Sequence, residues 1–272
     1  MNRRDFIQAT AVTLGATATV VACDAPGREY YELRTYTLKA EKLPLLDSYL
    51  RKAFLPAVNR FGCGPVGMFL ETESNERDVI SGKQTSTTAG DGSQRVFVLL
   101  IHKSPESVVS LLAAIARDTE YQKEASAFLA AKPGDPVYQS CTSTLLSAIA
   151  GMPNLAKPDQ SKPSIFNLRT YGSNNERAAA KKVEMFEKGE LEIFKQVKLT
   201  PVFFASAYAG ESLPNLTYML VFPDDAERKA AWQRFGKEPA WSNLKATPGY
   251  ADAELLTRIT NRILTPRPYS EL

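Results

Sequence analysis

Histidine is nearly missing from this chain: its 272 residues hold one, His102. A zinc centre of the multi-histidine kind cannot be assembled from it within one chain, so no metal is expected. A serine or cysteine triad would have the same residue as its one candidate base. Cysteine is scarce as well, at positions 23, 63 and 141, and no two of the three form a CxxC pair. Neither sign of charge dominates. Lys+Arg 33 against Asp+Glu 30 leaves +3, too balanced for a surface devoted to phosphate backbones, and nucleic acid is not an expected partner. The mature chain has no Walker loop, dinucleotide-binding glycine fingerprint or exposed-nucleophile motif. The apolar run Ala9 to Ala22 falls short of the roughly 20 residues that a bilayer-spanning helix needs. What is plentiful is apolar content, 44%, enough to pack a core and to exclude wholesale disorder.

The N-terminus reads as an address. Arg3-Arg4-Asp5-Phe6-Ile7 precedes the short run rich in Ala and Thr, and resembles a twin-arginine export signal over residues 1–22. Val20-Val21-Ala22-Cys23 is similar to a lipobox, in which Cys23 is acylated and becomes the first mature residue. Ordinary cleavage after Ala22 is the alternative. The expected partners are therefore the twin-arginine translocation machinery, through Arg3 and Arg4, and the membrane, through Cys23. The expected location is the periplasm or cell envelope.

The rest of the chain contains one unit twice. Glu32-Leu33-Arg34-Thr35-Tyr36 recurs as Asn167-Leu168-Arg169-Thr170-Tyr171, offset by 135, and Pro65-Val66 recurs as Pro201-Val202, offset by 136. An apolar strand follows in each copy, and a helix start follows the strand: Ser104-Pro105-Glu106 in one, Pro223-Asp224-Asp225 in the other. Each copy reads strand, helix, strand, strand, helix, strand. That is the ferredoxin-like βαββαβ unit, whose sheet carries helices on one face only. The copies span residues 30–150 and 164–272, joined by a proline-containing linker over 151–163. The expected fold is α+β: two tandem ferredoxin-like domains covering each other's open faces around a partial barrel. Within this topology the second and fourth strands take opposite edges, which separates Cys63 from Cys141 and predicts no disulfide between them. The stretch Thr72 to Gln94 reads as a long mobile connection.

Tyr31-Glu32-Leu33-Arg34-Thr35-Tyr36, the Phe61-Gly62-Cys63-Gly64-Pro65-Val66 turn, the second Asn167-Leu168-Arg169-Thr170-Tyr171, Pro201-Val202-Phe203 and Glu238-Pro239-Ala240-Trp241 resemble the NIPSNAP family. The resemblance covers nearly the whole mature chain as two tandem domains. It implies the dimeric α+β barrel superfamily, which also holds antibiotic biosynthesis monooxygenases, chlorite dismutases and dye-decolourising peroxidases. It implies no agreed reaction.

Strand alternation supplies the candidate site. Leu33 and Leu168 suit the helix-covered face, which would turn Arg34, Tyr36, Arg169 and Tyr171 into the barrel interior. Two Arg and two Tyr converging there would suit a carboxylate or phenolic ligand. The simpler reading is a structural network in which Arg34 and Arg169 pair with Glu32 or other carboxylates. His102 falls at a strand end, where exposure is expected and a haem-ligand role needs an inward turn. The function expected from the sequence is small-ligand or protein binding without chemistry or cofactor. The alternative is a monooxygenase-like or haem-dependent oxidoreductase using the barrel cavity.

Overall fold

The structure is a computed structural model that describes residues 27–89 and 92–272. The export and lipidation readings on Arg3, Arg4 and Cys23 therefore lie outside the described residues. The first half opens with β1 (Tyr30–Lys39). Helix α1 (Leu43–Tyr49) then passes through a π turn at Leu50–Phe54 into α2 (Leu55–Arg60). Next come β2 (Gly67–Asp78), the short β3 (Gln84–Ser86) and β4 (Ser93–His102). Helices α3 (Pro105–Ile115), α4 (Thr119–Glu124) and α5 (Ser126–Leu129) lead to β5 (Ser140–Ala148).

The second half runs β6 (Ile165–Gly172), α6 (Glu176–Met185), a π turn at Phe186–Glu190, α7 (Leu191–Gln196), β7 (Thr200–Ala209) and β8 (Asn215–Phe222). It ends with α8 (Asp225–Lys237), α9 (Pro239–Lys245), α10 (Asp252–Leu255) and β9 (Arg258–Pro266). Local chemistry sets these boundaries. The Asn175 and Asp224 side chains accept from the backbone N–H of Ala178 and Glu227, capping α6 and α8. The helical stretch after β8 is not continuous: Pro239 holds Glu238 in an extended conformation, so α8 stops and α9 restarts. Likewise the stretch after β4 is divided into α3, α4 and α5, with Asp118 capping α4.

Eight strands form a closed antiparallel barrel in the order β2-β4-β1-β5-β7-β8-β6-β9, with β9 returning to β2. Closure is by edge pairing, β5 on β7 and β9 on β2, and so the barrel is complete where a partial one was expected. The closing strand was not legible in sequence. Thr72 to Asp78, read as the start of a loop, is the second half of β2: after a bulge at Thr72, Glu73–Asp78 pairs with Arg258–Ile263 of β9. It lacks apolar alternation because neither of its faces meets a dry core: Ser74 and Glu76 face inward, and Glu73, Asn75 and Arg77 line an outer cleft. β3 pairs with its far edge at Asn75–Arg77, where β4 has already diverged.

Three apolar clusters result. Two lie between sheet and helices, one around Leu50, Phe54, Val58 and Val98 and the other around Phe186, Phe194, Phe204 and Tyr218. The third fills one end of the barrel with Tyr31, Phe69, Leu99, Phe166, Phe203 and Met219. The connection over 151–163 is tied against this filled end. Leu155 packs on the plug and its N–H donates to Glu29, and Ala156 N–H donates to the Val202 carbonyl. Cys63 is buried and Cys141 exposed, and the two are not bonded.

The plug should carry much of the stability. Phe203, fully buried and 4.9 Å from the Tyr31 ring, should cost about 3–5 kcal/mol on replacement by Ala, read as a lower denaturant midpoint at unchanged slope.

Candidate functional site

Closure at eight strands leaves an interior that side chains can fill or that can hold one small ligand. Here one end is plugged and the other is an open cup of about 430 Å³. The floor is Leu33, Phe97 and Leu168, the boundary with the plug. The wall is hydroxyl-rich, with Thr35, Thr37, Thr142, Thr144, Thr170, Thr217 and Thr260 projecting from five strands. Thr170 and Thr217 share a hydrogen bond of 3.1 Å, and Thr217 donates to Asn215 Oδ1. At the rim, Gly210 has φ +134 and lies so close to Thr144 that a Cβ would sit 2.7 Å from its hydroxyl. Only glycine meets both conditions there.

The electrostatics of the cup centre on Glu71, whose side chain is buried. Arg95 Nη1 donates to Glu71 Oε2 at 2.7 Å, while Arg262 Nε stands 3.3 Å from Glu71 Oε1 without making a hydrogen bond. Two guanidinium groups thus share one carboxylate. Arg258 adds a third cation and is 3.4 Å from Glu76. Burial and the neighbouring Arg95 and Arg258 hold the Arg262 pKa below the usual guanidinium range despite Glu71. Arg262 is the under-compensated cation of the lumen.

The strand faces are opposite to the expectation. Leu33, Thr35, Leu168 and Thr170 point into the barrel, and Arg34, Tyr36, Arg169 and Tyr171 point to the helix layers. Both faces of β1 and β6 are covered, one by the barrel interior and one by helices, so leucine cannot distinguish inside from outside. The long Arg and Tyr side chains reach into the helix layer, where Arg34 lies 5.1 Å from the Phe54 ring and Arg169 4.4 Å from the Trp232 ring. The four residues do not converge: Arg34 and Tyr36 belong to one half, Arg169 and Tyr171 to the other.

Around Arg34 the network reading applies. Arg34 Nε and Nη2 donate to the two oxygens of Glu32 at 2.6 and 2.9 Å, and Ser143 donates to Glu32 at 2.8 Å. His102 completes the cluster. It is fully buried, where exposure was expected: its Nδ1 is 2.8 Å from Ser107 Oγ, and its Nε2 faces Glu32 at 3.7 Å. The start of α3 folds over the strand end and covers it. Lying on the helix side, outside the lumen lining, His102 does not fit a haem held in the barrel. The second half differs. Asn167 replaces Glu32 and accepts from Trp232 Nε1 at 3.0 Å, while a buried Lys182–Glu190 pair at 3.1 Å lies beside Tyr171 and Phe186.

Arg95, Glu71 and Arg262 were missed by the sequence reading. The signals were present: Glu71 is the first charge after Met68-Phe69-Leu70, and threonine recurs at every second position in Thr35-Tyr36-Thr37 and Thr142-Ser143-Thr144.

An α+β barrel with a half-open lumen is the class of protein that this geometry defines. Residues 166–271 match the NIPSNAP family, so the chain carries a NIPSNAP domain in its second half. Among solved structures it resembles a Fusobacterium nucleatum subsp. nucleatum protein provisionally described as a monooxygenase. Identity is 7% and TM-score 0.52, over 89% of this chain and 94% of that one, which is a likeness of fold. A NIPSNAP-like domain protein from Burkholderia xenovorans is 20% identical over 39% of this chain and 88% of its own, with TM-score 0.36. A NIPSNAP family protein from Agrobacterium tumefaciens is 19% identical over 42% and 99%, with TM-score 0.35. No curated protein matches the chain.

Glu32 makes folding acid-sensitive. Burial would raise its pKa, but His102, Arg34 and Ser143 reverse this and hold it at about 2, against 4.5 ordinarily. A carboxyl depressed on folding adds stability that is complete above the unfolded value and lost as pH falls through the folded one. Between pH 4.5 and 2 the protein should lose on the order of 3 kcal/mol from this group. Urea unfolding at both pH values should show a shallower acid loss in Glu32→Gln, although that variant starts less stable because Arg34 is left unpaired.

Proposed function

We propose that the chain is an exported, lipid-anchored protein whose barrel lumen binds a small polar anion without chemistry. The observation that carries this reading is the shared carboxylate: Arg95 and Arg262 divide Glu71 between them, so two guanidinium groups meet one carboxylate inside a hydroxyl-lined cup, while Glu76 stands by Arg258 and Glu211 lies on the exposed rim. Threonine hydroxyls donate and accept, which suits a hydroxylated or otherwise polar ligand body. We further propose that the barrel is an internal pseudo-dimer of two ferredoxin-like units over residues 30–150 and 164–272. In its support, each half has the strand order second, third, first, fourth, and the π turns at Leu50–Phe54 and Phe186–Glu190 recur at the 136-residue offset of the sequence repeat.

Oxidoreductase chemistry in the lumen is the alternative, and the likeness of fold to the Fusobacterium protein favours it. Against it stand the lining side chains. The titratable groups of the cup are arginines and glutamates, and His102 is on the other face of the sheet.

Thr35 lines the cup above Leu33, and Thr35→Phe should fill it. Protein purified natively from its own envelope should release a small anion, identified by mass spectrometry of the denatured sample, and Thr35→Phe and Arg262→Gln should lose it. Retention of the anion in both variants would falsify lumen binding, and a bound visible chromophore would favour the oxidoreductase. Cys23→Ser should move the protein from the membrane to the soluble fraction, and its persistence in the membrane would remove the lipid anchor.

A further inference from the structure

The two halves place the same arginine in different electrostatic settings. Arg34 is saturated, held at two nitrogens by the carboxylate of Glu32 two residues earlier on the same strand face. At Arg169 the residue two positions earlier is Asn167, a neutral amide already engaged with Trp232 and Asn261. Among the described residues no carboxylate comes within ion-pairing distance of Arg169, and its buried Nε has no hydrogen-bond partner. Glu190, the carboxylate closest in influence, is taken by Lys182. Two aromatic rings stand against the guanidinium, Trp232 at 4.4 Å from ring centre and Tyr171 at 5.5 Å. Stacking satisfies the face of the guanidinium and Tyr171 also hydrogen-bonds to it, while Nε stays without a partner and no carboxylate answers the charge.

Arg169 lines a cleft of about 440 Å³ on the outside of the barrel, where β9 meets β2 beneath α8. Four carboxamides line it, Asn75, Gln84, Gln233 and Asn261. The other cations on its wall are largely matched: Arg228 and Lys229 share Asp225, and Arg77 reaches toward Asp252 at 3.9 Å. Glu73 on the rim makes no ion pair with Arg169. The surplus is about one positive charge next to groups that hydrogen-bond hydroxyls. One carboxylate meets this surplus, and a doubly charged phosphate exceeds it.

We propose that this cleft is a second binding site, separate from the lumen, in which Arg169 takes the carboxylate of a small hydroxylated organic acid. The ligand does from outside what Glu32 does from within the chain at Arg34.

Gluconate is a suitable probe, with glucose as its uncharged counterpart and sodium chloride as the ionic-strength control. In the Trp241→Phe background, emission reports Trp232 alone, because the chain has two tryptophans. Gluconate should change this emission saturably, while glucose and chloride should not. Arg169→Gln should weaken the response at least tenfold. Asn167→Glu should abolish it by supplying the in-chain carboxylate, and it keeps the arginine that the fold packs around. The lumen variants Thr35→Phe and Arg262→Gln should leave it intact. A response that survives in Asn167→Glu, that is lost in Arg262→Gln but not in Arg169→Gln, or that phosphate elicits and gluconate does not, overturns the assignment.

Discussion

The structure depends on the pairing of strand edges that closes the barrel. A four-stranded sheet with helices on one face has two unpaired edges and one uncovered face, and neither is stable in water. Pairing β5 with β7 and β2 with β9 removes all four edges of the two halves at once and turns both uncovered faces inward. The same act creates the third apolar cluster and, above it, the threonine-walled cup. The polar extension of β2 to Asp78 supplies most of the second seam and one wall of the outer cleft beside Arg169.

Closure also explains how one motif serves two electrostatic roles. The Leu-Arg-Thr-Tyr strands hold equivalent places in their halves, with leucine and threonine inside, arginine and tyrosine under the helices. In the first half Glu32, His102 and Ser143 make a closed polar cluster that fixes strand to helix layer. In the second half the carboxylate is absent from the strand and a buried Lys182–Glu190 pair stands deeper in the helix layer. Burying a pair is tolerated when each partner is satisfied, and the two halves meet that demand with different residues. The exception is Arg169, which has aromatic rings and the Tyr171 hydroxyl beside it but no carboxylate.

The repeat, the helix caps and the apolar strands were legible because they rest on local rules: side-chain periodicity, cap chemistry and the spacing of prolines. The Glu32–Arg34 pair was legible too, as two opposite charges two apart on a strand share a face. The orientation of that face was not, since leucine marks a buried face only where the other one is wet. His102 looked exposed because a strand end usually is, and the turn into α3 that covers it depends on Ser104 and Ser107 folding back. Glu71, Arg95 and Arg262 lie far apart in the chain and meet only through β2–β4 and β2–β9 pairing.

By itself, the sequence determined that the Leu33–Tyr36 segment recurs at Leu168–Tyr171 with strands and helices following in the same order, in a chain with a single histidine and no excess of charge. Which surface of each strand faces the interior, that the barrel closes fully, and that two arginines share one carboxylate inside it were decided by tertiary structure. The reason is that alternation along a strand fixes two faces without naming them, and only the partner across a barrel seam tells one from the other.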